Sequence, residues 1–316
     1  MIPRIAPGHR SKAGFTLIEL LVVIAILLIL AAILVPVIAR VHQSAQAADT
    51  RNQLSSLSSA IKAYFDTFRG YPGPLDDRQM FRARNGAPLP NGVVLGQAQM
   101  ITQSENLFLG LVGGLSRDPN ANQVFNYAPP TVGGVLDLSL EAAGRKVYEP
   151  FLKNWSGWIT PGRYNPGRSR MEYFFSDGMG TPPGDSEIPE FIDRFSDHPL
   201  PILYLRAKAG APGIVGDASL PGTIDQYQYD VRQFNAYTLP DLYGRVHGLR
   251  NVGGWVNPSP VGLNDALPYL RSDTNPGVSN ANGNPRVKDT FILISAGLDG
   301  IYGTKDDITT FGTVVR

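Results

Sequence analysis

Phe15 to Ala39 reads FTLIELLVVIAILLILAAILVPVIA, an apolar run broken only by Thr16, Glu19 and Pro36. At 1.5 Å rise per residue a helix of this length is roughly 37 Å long, more than a hydrocarbon core about 30 Å thick. Leu, Ile and Val fall on every face of that helix, whereas a helix in a soluble core keeps a polar side. The run therefore reads as a membrane span. Arg4, Arg10 and Lys12 precede it. Basic residues stay on the cytoplasmic side, so the N-terminus is expected there and everything after Arg40 outside. A secretory signal peptide also begins basic and turns apolar, but its apolar part is shorter and ends at a small-x-small cleavage site. No such site separates this run from the segment that follows.

Glu19 is the informative residue within the span. A carboxylate in a membrane helix costs about 2 to 3 kcal/mol to insert, which marks it as a group that needs a partner. In a plain anchor helix it would snorkel to the headgroups. Its neighbours point to something more specific, because Gly14-Phe15-Thr16-Leu17-Ile18-Glu19 resembles the class III signal of type IV prepilins. The resemblance implies cleavage after Gly14 by a prepilin peptidase, N-methylation of Phe15, and a Glu19 that partners an N-terminal amine. An α-amine released at Phe15 would be mostly charged at neutral pH. Pairing it with Glu19, especially across neighbouring subunits of a filament, offsets two otherwise unpaired charges and would set axial register.

Pro36 removes one helix hydrogen bond and clashes with the preceding turn, so a local kink or melted turn is expected there. Pilins of this family commonly carry a proline at the corresponding place, and the resemblance implies a segment that unwinds when subunits pack. An ordinary membrane-helix proline is the alternative. After Arg40 the pattern turns amphipathic: Leu54, Leu57, Ile61, Tyr64, Phe65 and Phe68 recur at three- and four-residue spacing, with Asp49, Arg51, Gln53, Lys62 and Asp66 on other faces. One helix is expected to continue to about Phe68, where Arg69-Gly70-Tyr71-Pro72-Gly73-Pro74 supplies Gly for a left-handed cap and prolines that cannot propagate it.

The remaining chain is dense in turn signals, with 34 Gly and 26 Pro among 316 residues. A short helical stretch is expected at 138–153, and strands at Pro199 to Arg206, Gln226 to Phe234 and Thr290 to Ser295. The expected fold is α+β and pilin-like. A long N-terminal helix packs on an antiparallel sheet, with a large turn-rich insertion at about 76–190. The expected divisions are a leader at 1–14, a membrane or filament-core helix at 15–39, its amphipathic continuation at 40–70, and an extracytoplasmic domain at 71–316.

Asp299-Gly300-Ile301-Tyr302-Gly303-Thr304-Lys305-Asp306-Asp307 places three carboxylates around two Gly residues after an apolar strand. Calcium takes six to eight oxygens, and a tight loop can add backbone carbonyls to Asp side chains. The segment resembles the C-terminal calcium loop of major type II secretion pseudopilins, which implies Asp299, Asp306 and Asp307 as calcium ligands. It lacks the spacing of an EF-hand. The alternative is a hairpin whose carboxylates are solvated or cap the turn.

Lys plus Arg number 28 against 27 for Asp plus Glu, giving a net charge of +1 and no global attraction to nucleic acid. The absence of Cys removes disulfides, thiolate nucleophiles and Cys-ligated zinc. No Gly-x-Ser-x-Gly, Walker A or His-Glu-x-x-His sequence occurs, and Asp193, Asp197 and His198 read as strand-initiating rather than catalytic. Trp155, Trp158 and Trp255 read as core or turn anchors, or as an exposed binding surface.

The resemblance implies a non-enzymatic subunit of a type II secretion pseudopilus or a type IV pilus. It would work with other pilin or pseudopilin subunits, a prepilin peptidase and an inner-membrane assembly platform. It would sit in a bacterial inner membrane by a single pass, with its C-terminal domain periplasmic, before reaching the pilus, pseudopilus or cell surface. The alternative is a membrane-tethered or tip-located pilin-like module whose insertion captures a substrate or surface.

Overall fold

The computed structural model describes residues 16–73, 94–95, 103–117, 124–127, 135–136, 147–159, 162–165, 170–173, 189–195, 199–211, 213–216, 227–230, 270, 285–300, 302 and 305–312. The chain divides into two compact units, 1–45 and 46–316. Helix α1, Leu17–Phe68, is unbroken over its 52 residues. Every large apolar side chain from Leu17 to Val41 is exposed in the isolated chain, and the helix is long and apolar enough to cross a membrane. Of the kink or melted turn expected at Pro36, no melted turn is present in the single chain, where α1 stays helical through it. Proline deletes a single N–H bond, and the hydrogen bonds of the neighbouring turns continue the helix on either side.

Within 46–316, α1 buries the face that its spacing marks. Leu54, Leu57, Ile61 and Tyr64 are buried, Phe65 and Phe68 are half-buried, and Asp49, Arg51, Lys62 and Asp66 are exposed. Each such apolar burial stabilises by about 2 kcal/mol. Gln53 departs from the expected polar face. It is buried, and its Nε2 donates to the Ile192 carbonyl at 2.7 Å, while the Thr50 hydroxyl oxygen accepts the Arg194 N–H at 3.2 Å. Apolar periodicity locates a core face but is silent about a polar side chain that finds its partner far along the chain.

The strands are β1 (Val94–Leu95), β2 (Leu115–Arg117), β3 (Val124–Tyr127), β4 (Val135–Leu136), β5 (Val147–Tyr148), β6 (Gly162–Asn165), β7 (Arg170–Tyr173), β8 (Leu203–Arg206), β9 (Gly213–Gly216), β10 (Tyr227–Asp230), β11 (Phe291–Ser295) and β12 (Ile308–Thr309). A second helix, α2, spans Gln103–Leu111. The central sheet has the order β12-β11-β8 and is antiparallel, with Leu293 opposite Tyr204 and Ile294 opposite Thr309. One face carries Phe291, Leu293, Ile308 and Tyr204 into a core shared with Leu54, Leu57 and Ile61 of α1. The other carries Ile292, Ile294, Leu203 and Leu205 into a second core with Leu270 and Tyr302. Burial on both faces explains why β11 reads as the continuous apolar run FILIS instead of an alternation.

The strand expected at 226–234 exists as β10, but it pairs parallel with β9 in a separate two-stranded sheet. Alternation at Tyr227 and Tyr229 reports a strand's two faces and carries no information on the direction of its neighbour. The helix expected at 138–153 is not found among its described residues, where Val147–Tyr148 forms β5 against β4. Helix α2 lay undetected in the sequence because all nine of its residues are buried, polar Gln103 to Asn106 included, which erases any amphipathic pattern. Its Leu107, Phe108 and Leu111, with Val135 and Leu152, join the main core. Residues inside 76–190 thus complete the packing around α1.

Helix α1 ends where expected, by a different residue. Arg69 takes the left-handed conformation at φ 57°, and its N–H closes the last turn on the Phe65 carbonyl at 2.7 Å. Tyr204 donates its hydroxyl to the Pro72 carbonyl at 3.1 Å and Arg206 donates to the Gly73 carbonyl at 3.0 Å, fixing the exit of the helix to β8. A side chain at positive φ costs about 1 kcal/mol. Arg69→Gly is therefore expected to stabilise the full chain in detergent by about 0.5 to 1 kcal/mol, and Arg69→Val to destabilise it, read as opposite shifts of a thermal melt.

Candidate functional site

At the head of α1, Glu19 Oε2 accepts the Thr16 N–H at 2.9 Å and the Thr16 hydroxyl at 2.8 Å. Thr16 Oγ1 in turn accepts the Glu19 N–H at 3.3 Å, and the Thr16 carbonyl accepts the Leu20 N–H at 3.2 Å. This is a capping box, with Thr at the N-cap and Glu three residues on. The first N–H groups of a helix have no intrahelical acceptor, and in a bilayer core no water replaces one. The reciprocal bonds satisfy two such groups while supplying donors to the carboxylate, which also faces the positive end of the helix dipole. The Thr-x-x-Glu spacing stands in the sequence and is the signal for this arrangement. Weighing Glu19 only as a partner for an amine passes over it. Gly14 and Phe15 lie outside the described residues.

Glu19 thus heads a helix whose large apolar side chains lie open to solvent through Val41. Residues 9–35 match the family model described as the prokaryotic N-terminal methylation motif. The chain carries a prepilin-type N-terminus. That motif is the signature of prepilin-type cleavage in type IV pilins and pseudopilins, and Gly14, Phe15, Thr16 and Glu19 all fall within the matched residues. The long helix and small antiparallel sheet form an α+β arrangement consistent with the pilin fold. No curated protein and no solved structure matches the chain.

The C-terminal loop is organised by its own carboxylates. Asp306 Oδ2 accepts the Asp299 N–H at 2.9 Å across the turn. Gly297, at φ 71°, sits so close to the Asp306 backbone that an added Cβ would overlap its carbonyl oxygen. Asp307 is buried while Asp299 and Asp306 are exposed, and the buried Tyr302 donates its hydroxyl to the Pro201 carbonyl. Among the described residues no three metal-ligating side chains gather into a group that could hold an ion.

Asp193 is buried and serves the framework. Its two oxygens accept the Leu200 N–H at 3.1 Å and the Ser295 hydroxyl at 2.9 Å, joining the segment before β8 to the end of β11. Asp197 and His198 lie outside the described residues. Trp155 packs edge-on against Phe108, 5.5 Å between ring centroids, and both Trp155 and Trp158 rest on the main core. These two tryptophans are anchors; Trp255 is outside the described residues.

Proposed function

We propose that this chain is a pilin-like structural subunit that is cut after Gly14 and built into a type II secretion pseudopilus or a type IV pilus through α1. The observation that carries the reading is Glu19, a carboxylate at the head of an apolar helix whose large side chains from Leu17 to Val41 are exposed among the described residues. In the single chain Thr16 satisfies it. In an assembly the methylated Phe15 amine of a neighbour would take over part of that role, converting a local cap into a subunit-to-subunit ion pair in a low-dielectric setting. The partners are other pilin or pseudopilin subunits, the prepilin peptidase and an inner-membrane assembly platform. The anchor is a single inner-membrane pass with residues after Arg40 in the periplasm, and the reading needs no catalysis by this chain.

The two roles of Glu19 separate by substitution, because Gln also serves at the third helical position of a capping box but carries no charge. The chain has no Cys, so one cysteine at exposed Ile26 reports helix-to-helix contact by oxidative cross-linking in membranes. Native and Thr16→Ala chains are expected to cross-link. Glu19→Gln and Glu19→Ala are expected to lose at least about tenfold of the product while staying membrane-inserted, the loss of one partially buried ion pair. Cross-linking of Glu19→Gln at the native level would overturn the charge-pairing account.

Calcium at Asp299, Asp306 and Asp307 is a separate proposal, supported by the run of three Asp around Gly300 and Gly303. Binding would require Asp306 to release the Asp299 N–H. The expected result is a higher melting temperature with calcium than with chelator, abolished in Asp299→Ala plus Asp307→Ala. A melt indifferent to chelation would leave these carboxylates as turn caps and end the proposal.

A further inference from the structure

On the exposed side of α1, Arg51, Ser55, Ser58 and Lys62 follow one another at spacings of four, three and four residues, so they form a single stripe. Eleven residues separate the two cations, which puts them about 16 Å apart along the helix. The stripe is one wall of an open cleft of about 410 Å³ whose other wall includes Thr309 and Thr310 at the edge strand β12. Leu54, Phe291 and Ile308 line it between the walls, and no acidic residue does among the described residues. Arg51 and Lys62 are exposed and have no ion-pair partner among the described residues.

We propose that this cleft is a docking site for an extended acidic peptide segment of a partner protein, with two carboxylates four residues apart and an apolar residue midway. In an extended chain residues i, i+2 and i+4 point the same way, and i to i+4 spans about 13 Å. The long Arg51 and Lys62 side chains reach inward over the remaining few ångströms to meet the two carboxylates. The residue between them then lies over the narrow apolar edges of Leu54 and Ile308, 3 % and 8 % exposed, where a small apolar side chain is favoured and a charge is not.

That pattern separates a peptide from a nucleic acid. A nucleic-acid backbone carries a charge at every nucleotide, about every 3.4 Å of helix axis on each strand of a duplex, which would set anions over the apolar floor with no cation beneath them. The floor also offers no open aromatic ring for a base, since Phe291 is only 6 % exposed. The occupant recognised by this cleft is therefore sparse in charge and apolar at its centre. The site belongs wholly to residues 46–316.

The test uses the full chain in neutral detergent and a fluorescein-labelled peptide containing Glu-Thr-Val-Thr-Glu, followed by anisotropy. Saturable binding is expected, weakened at least about tenfold by Arg51→Ala plus Lys62→Ala and weakened again by added salt, as two exposed ion pairs would be. Both side chains are exposed, so near-ultraviolet circular dichroism should show the variant folded. A peptide of the same composition with its two Glu adjacent should bind less tightly. Equal binding of the rearranged peptide, no loss in the double variant, or tighter binding of a labelled single-stranded oligonucleotide would each overturn the proposal.

Discussion

A carboxylate at the head of an apolar helix has to be given hydrogen-bond donors, and the design of the N-terminal part follows from that requirement. Glu19 meets it through Thr16, whose N–H and hydroxyl both point at the same oxygen. The bonds are local, three residues apart, so they form with the first turn of the helix and need no other part of the fold. They also explain how the helix begins in a medium that offers its free N–H groups nothing else. A residue that looks like a liability in a membrane span is what closes the first turn. In the proposed assembly the same carboxylate would accept a stronger, charged donor from another chain.

A second constraint acts on the other half of α1. The helix presents Leu54, Leu57, Ile61 and Tyr64 to a sheet that is itself buried on both faces. A three-stranded sheet is small for this task. It is supplemented by α2, by Leu152, and by Phe191 and Phe195, which come from distant parts of the chain. Polar ties hold these pieces in place, with Gln53 and Thr50 reaching the 192–194 backbone and Asp193 joining Leu200 to Ser295. The core is therefore assembled by contacts long in sequence around one helix that supplies the continuous surface.

How much of this could be read from the sequence depends on how local each signal is. The helix limits, its buried face, β8 and β11 were legible because periodicity, an apolar run and the Gly-Pro stop are each written within a few neighbouring residues. Arg69 at the helix end was not, since the choice between it and Gly70 turns on a single backbone angle. Helix α2 was hidden because burial on every side removes the contrast that reveals a helix. The parallel pairing of β9 with β10 was hidden because strand direction is a property of two segments together. At the candidate site Gly14, Phe15 and Glu19 were legible as parts of the motif that residues 9–35 match. The capping box was legible too, by its Thr-x-x-Glu spacing, and needed the hydrogen bonds to be recognised. The cleft beside Arg51 and Lys62 appears only once β12 is laid against α1.

The central claim is that the mature chain begins at Phe15, with its apolar helix headed by Glu19 four residues from a new amine. Intact-mass spectrometry of the protein extracted from its native membranes tests this most directly. The account predicts a chain lacking residues 1–14 and carrying one methyl group on the Phe15 nitrogen. A chain that begins at Met1, or one cut beyond Ala39 so that the apolar helix is lost, would contradict it.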